Sequence, residues 1–152
     1  MPEEWLIDGY NLLYSIASKQ WRGKKLTREA LLGALASFAE GRGCRVLMVL
    51  DGKGPAEELE VYKTKYFEAR YSQSVTADSV IERIVYQNKE NCVVVTKDRA
   101  IAQMARGSGA RVMTPEDFSD LLEESQKERK DFLWERETDA RGFNRPFGDK
   151  LK

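Results

Sequence analysis

Two short runs constrain what this chain can fold into: RVLMVL from Arg45 to Leu50 and CVVVT from Cys92 to Thr96. A half-solvated strand alternates apolar and polar residues. An almost unbroken apolar run rich in Val and Leu needs cover on both faces, the condition of a central strand in a parallel sheet. A third run, Trp5 to Ile7, stops at the turn sequence DGYN, where Asn11 is expected to cap a helix through Leu12, Leu13 and Ile16. Thr27 opens a helix with Leu31, Leu32, Leu35 and Phe38 at helical spacing, and Gly41 and Gly43 end it. Alternation from Tyr66 to Tyr71 predicts an edge strand. Thr76 caps a helix through Val80, Ile81, Ile84 and Val85, and another helix runs from Asp98 to about Arg106. GSG breaks that helix before the short strand ARVM. TPED then starts a last helix, with Thr114 as cap, Pro115 at the first position and Asp117 at the capping-box position. Strands alternating with helices mean right-handed crossovers. The predicted fold is a three-layer α/β/α domain with a mostly parallel sheet of four or five strands.

The length, 152 residues with 41% hydrophobic content, is enough for one core and not two. The domain is expected over residues 1–125, with 126–152 a charged helix end and flexible tail. No apolar stretch approaches the roughly 20 residues of a membrane span, and the start does not read as a secretion signal. The expectation is a soluble cytoplasmic protein, with an organelle stroma as the alternative. Cys44 and Cys92 make no metal-ligand or redox spacing and read as reduced core thiols.

Function is narrowed most by the absence of histidine. Without imidazole there is no Ser-His-Asp or Cys-His nucleophile system, no histidine-ligated zinc and no His general base. Any chemistry runs on carboxylates, whose oxygens suit Mg²⁺ or Mn²⁺. In open parallel sheets the ligand site lies beyond the carboxyl ends of the strands, where the strand order reverses. Asp8 follows the first strand, Asp51 the second, and Asp98 stands just past CVVVT. Asp78 begins the helix after Thr76, with Glu82 one turn on and on the same side. Each alone reads as a turn residue or cap. Together, carboxylates about 4 Å apart would repel by about 4 kcal/mol at an effective dielectric near 20, a cost a divalent cation removes. A metal-binding acidic cluster is the better reading. GxGxxG and GxxxxGK[ST] are both missing. Tyr10 stands where a haloacid-dehalogenase-type enzyme wants a second Asp, and Gly9 and Met113 do not fit a receiver domain.

DGYN at Asp8 to Asn11, LDG at Leu50 to Gly52, TADSVIE at Thr76 to Glu82 and TKDRAI at Thr96 to Ile101 occur in one order, from Trp5 to Leu122. In these motifs the sequence closely resembles the NYN domains of the YacP-like family, within the PIN-like nuclease superfamily. The resemblance implies a PIN-like α/β/α fold, metal-dependent endoribonuclease activity and, for the YacP branch, a link to mRNA decay at the ribosome. Carried over residue by residue, it makes Asp8, Asp78 and Asp98 metal-binding and catalytic acids, and Glu82 a further catalytic acid. Asn11 and Thr96 become supporting polar residues, and Asp51 an acid at the rim. Lys97 departs from the pattern, which has a small residue such as Ser there.

The expected activity is cleavage of single-stranded RNA by water, giving 5′-phosphate and 3′-hydroxyl ends, with one or two Mg²⁺ or Mn²⁺ ions and neither zinc nor a nucleotide cofactor. Because 25 basic residues balance 25 acidic ones, RNA must be held by local charge segregation. The candidates are Arg22, Lys24, Lys25 and Arg28, then Lys53, Lys63 and Lys65, then Lys97 and Arg99, with Trp21, Tyr62 and Tyr66 as stacking rings. The expected partners are mRNA and the ribosome but no membrane, with the protein a monomer or weak dimer. KERKDFLWERE and the residues after it are a candidate docking element or, equally, a solvated tail. The competing reading of another class is a catalytically silent RNA- or ribosome-binding module of the same fold.

Overall fold

The computed structural model describes residues 3–17, 27–88 and 91–127. The chain runs β1 (Glu4–Asp8), α1 (Gly9–Ala17), α2 (Arg28–Arg42), β2 (Arg45–Leu50), α3 (Ala56–Glu60), β3 (Phe67–Tyr71), α4 (Ala77–Gln87), β4 (Cys92–Val95), α5 (Arg99–Gly107) and β5 (Arg111–Met113). A last helix, α6, is described over residues 115–127.

The five strands form one sheet in the order β3-β2-β1-β4-β5, and every pairing is parallel. The unbroken apolar runs are interior strands, as their composition requires, and the alternating stretch before Tyr71 is the edge strand β3. Because residues two apart on a strand share a face, Trp5 and Ile7 face one way and Leu6 the other. The first face packs with Leu12, Leu31, Leu35, Phe38 and Phe118 of α1, α2 and α6. The second packs with Ala77, Ile81 and Val85 of α4 and Ile101 and Ala105 of α5. Trp5, Phe38 and Phe118 meet at ring distances of 5.4 to 5.6 Å, two of the three contacts edge to face. Each fully buried Leu or Phe in these layers contributes about 1.5–3 kcal/mol. Both cysteines are free and buried, and burial pushes their thiols up to about 11, so they stay neutral at physiological pH.

Local signals set most helix ends. Thr27 accepts the N–H of Ala30 at 3.0 Å, Thr76 that of Ser79 at 3.1 Å, and Thr114 that of Asp117 at 3.1 Å. Helix α2 runs through Gly41 and closes at Gly43, which takes the left-handed conformation with φ 70°. Two expectations need correction. Asn11 is not a cap: α1 starts two residues earlier, directly from the strand, and Asn11 is its third residue. The short helix α3 was not foreseen, since only Leu59 of its five residues is buried and no apolar period announces it. The stretch from Lys19 to Lys25 and the tail from 128 onward lie outside the described residues.

Candidate active site at the sheet's switch point

Strand order reverses between β1 and β4, since the chain builds β2 and β3 on one side of β1 before crossing to β4 on the other. The crevice beyond their carboxyl ends is bordered by the starts of α1, α4 and α5. Asp8, the last residue of β1, is 8% exposed. Its side chain lies on the same sheet face as Leu6, toward α4 and α5. The chain turns from β1 into α1 without a spacer because residue 9 is glycine. A Cβ there would stand 2.5 Å from Leu50 Cδ2 and 2.9 Å from the carbonyl oxygen of Val49. The carboxylate of Asp8 accepts the backbone N–H of Asn11, capping α1 itself.

Asn11 is freed for another task. Its Oδ1 accepts the backbone N–H of Lys97 at 2.6 Å, bridging the two strands that flank the crevice. The hydroxyl of Thr96, buried at the end of β4, lies 3.4 Å from Asp8 Oδ2 and 3.5 Å from Asn11 Oδ1, and accepts the N–H of Asp98 at 3.0 Å. Asp98 caps α5, its Oδ1 accepting from Ala100 at 2.8 Å and Ile101 at 3.1 Å. Asp78 lies in the first turn of α4. That helix start is tied to β2 by Asp51, whose Oδ1 accepts the N–H of Ala77 at 2.8 Å. Asp51 therefore positions Asp78.

Electrostatics bring these acids together. The carboxyl of Asp8 is raised above the usual range by burial first and then by the charges of Asp78 and Asp98, against the hydrogen bonds from Asn11 and Thr96. Asp78 is raised by burial and by Asp98, Asp51 and Glu82. Among the described residues only acids act as charges on either one. Each helix N-terminus offers partial positive charge, but among the described residues no cation acts on Asp8 or Asp78. The donor set is all oxygen, as Mg²⁺ and Mn²⁺ require. Among the described residues no three such side chains stand close enough to hold an ion jointly as placed. The acids therefore fit a divalent ion in donor type and charge, with Asp8 buried, Asp98 half-buried and Asp78 exposed.

The basic candidates divide. Arg22, Lys24 and Lys25, with Trp21, fall outside the described residues. Lys53 follows β2 and Arg99 opens α5, both exposed at the carboxyl edge. Lys97 is there too, but its Nζ pairs with Glu116 at 2.8 Å. Arg28 donates to the Tyr71 hydroxyl at 2.7 Å. Lys63, Lys65 and Tyr66 are a correction: they precede β3 and line a cavity at the opposite, amino-terminal edge. Glu116 went unforeseen, since TPED reads as a helix start, although its place after β5 puts it at the site's edge of the sheet.

The family model of the YacP-like NYN domain matches residues 5–150. The chain belongs to this family. It is a family of nucleases, typically metal-dependent. The crystal structure of Rae1 (YacP) from Bacillus subtilis superposes with a TM-score of 0.67 at 22% identity, covering 92% of this chain and 84% of that one. The W164L mutant of the same protein gives 0.64 at 20% identity, covering 90% and 84%. These likenesses extend the agreement in fold over nearly the whole chain. No curated protein matches it. Among the described residues no helix is long and apolar enough to cross a membrane.

Proposed function

We propose that this NYN domain is an endoribonuclease that cuts single-stranded RNA, mRNA above all, with Asp8, Asp78 and Asp98 as its metal-holding acids. The observation that carries this reading is the burial of Asp8 at the switch point with, among the described residues, only acids acting on it as charges, an arrangement costly to the fold without a cation. A Mg²⁺ or Mn²⁺ ion on these three carboxylates would supply an acidified water and neutralise charge on the leaving oxygen.

The chain's own residues do the rest. Asn11 spans the crevice by accepting the Lys97 N–H, and Thr96, which accepts the Asp98 N–H, donates its hydroxyl to Asp8 Oδ2 and so sets the rotamer of Asp8. Asp51 holds the start of α4, and Glu82, one turn from Asp78, adds negative charge that favours a bound cation. Lys53, Lys97 and Arg99 meet RNA phosphates at the rim, and Arg22, Lys24 and Lys25, outside the described residues, are further candidates for phosphate contact. Attack by water leaves 5′-phosphate and 3′-hydroxyl ends. The ribosome, where mRNA is presented unpaired, is the proposed setting.

The test is cleavage of an end-labelled single-stranded RNA by the purified protein with Mn²⁺, with Mg²⁺ and with EDTA, beside the Asp8→Asn variant. The expected result is metal-dependent cutting that the variant loses. Cyclic phosphate ends, or cutting that persists in EDTA, would overturn the mechanism.

A further inference from the structure

A concavity that gathers positive charge lies away from the acids of the crevice. A cavity of about 410 Å³ opens at the amino edge of the sheet, between the end of α4 and strands β2 and β3. It is lined by Arg45, Lys63, Lys65 and Arg70 against only two acids, Glu4 and Glu68. Glu4 already accepts from the Asn88 amide at 2.9 Å. None of Arg45, Lys63 and Arg70 is in an ion pair among the described residues, while Arg42, Lys97 and Arg111 elsewhere are paired. Lys65 lies over the ring of Tyr66, its ammonium 5.5 Å from the centroid, which leaves its positive charge in place.

Four cations on one concave wall repel one another and focus their field into the opening, and an anion relieves that repulsion. The wall also carries Tyr66, Thr64, Gln87 and Asn88, a ring with hydroxyl and amide groups suited to a nucleotide's base and sugar. The cavity is on the α4 side of the sheet, the side toward which Asp8 points. Register aligns Asp8 with Val49 and Val49 with Arg70, so Arg70 stands in the row of Asp8, about 10 Å away across two strand spacings. From that row the cations continue down to Lys63 and Lys65, about 16 Å along the strands.

We propose that this cavity is a second phosphate site, holding the part of a single-stranded RNA remote from the bond to be cut. The inference rests on the nuclease reading and adds to it the substrate's second point of attachment. A short RNA fills the acidic crevice alone, and a long one reaches both.

The experiment measures binding of labelled RNAs of about 4 and about 16 nucleotides across a salt series, by fluorescence anisotropy with Mg²⁺ in the Asp8→Asn background. The same background carrying Lys63→Ala and Lys65→Ala is compared with it. Both lysines are exposed, and circular dichroism verifies folding. The expected result is about a tenfold loss of affinity for the long RNA, a salt slope shallower by about 1.4 for two lost phosphate contacts, and no change for the short RNA. Lys63→Arg with Lys65→Arg restores binding. Unchanged affinity for the long RNA overturns the proposal, and so does an equal loss at both lengths, which marks a general field and not a second site. If wild type cuts no RNA yet the length-dependent loss appears, the nuclease reading fails and the cavity's role stands.

Discussion

Glu3 and Asp8 stand five residues apart, at the two edges of the sheet, and the fold treats them in opposite ways. Glu3 meets Arg111 at 2.6 Å, Arg42 at 3.6 Å and the indole N–H of Trp5 at 2.8 Å. The hydrogen bond from Arg111 is foremost in holding its carboxyl below the usual range. Asp8, at the other edge, is raised by burial and by two further acids. An acid that serves the fold is given cations. The acid proposed to serve chemistry meets none among the described residues, and its cost is carried by the packing around it.

Removing the charge at each edge should separate these roles. Asp8→Asn should lower RNA cleavage by at least about a hundredfold, since charge stabilisation of several kcal/mol is lost at about 1.4 kcal/mol per tenfold. Its melting temperature should not fall, because the variant removes a repelled charge and keeps the shape. A drop in stability matching the drop in rate would erase the contrast. Next in size is Gly9→Ala, whose added methyl would meet Leu50 and the Val49 carbonyl. It should cost about 1–3 kcal/mol as overpacking and displace Asp8, so that denaturant midpoint and cleavage fall together. Glu3→Gln should do the reverse of Asp8→Asn, losing about 1 kcal/mol and a few degrees of melting temperature with kcat unaltered, the partners being exposed enough for solvent to screen them.

The smallest effect is in the pH dependence. Glu3, with its folded value below 4.5, stabilises at neutral pH, and that contribution is lost as pH falls through the folded value. Asp8, with its folded value above 3.8, has the opposite sign: ionising it costs the folded state, and the cost disappears as pH falls through that raised value. The melting temperatures of wild type and Asp8→Asn should converge below about pH 4, with the variant the more stable above. Parallel curves across the whole range would show that the Asp8 charge does not burden the fold.

Much of this is legible in the sequence, for reasons that differ by residue. Continuous Val and Leu runs can only be covered strands, and Thr27, Thr76 and Thr114 cap by local chemistry that sequence carries directly. Capping, the alternative for the acids, is what the structure shows directly: Asp8 and Asp98 cap their helices, and both border the one crevice where a metal-binding role is proposed. The bridge from Asn11 to Lys97 was illegible because it joins residues 86 apart, and no local pattern encodes such a pairing. Lys63 and Lys65 were misplaced for a reason that sequence could have exposed. In a parallel sheet a loop leading into a strand lies at the amino edge and one leaving a strand at the carboxyl edge. The same rule would have put Glu116, which follows β5, at the site.

The pairing of β1 with β4 also dictates when the crevice comes into being. Ile7 is matched to Val95, and the acidic cleft lacks its second wall until the strand ending at Val95 has been synthesised and has docked beside β1. A growing chain that has emerged only through β3 has Asp8 and Asp51 but neither Asp78 nor Asp98. On the nuclease function proposed above, such a chain on a translating ribosome is harmless to its own message, and the hazard begins only once Asp78 and Asp98 are in place.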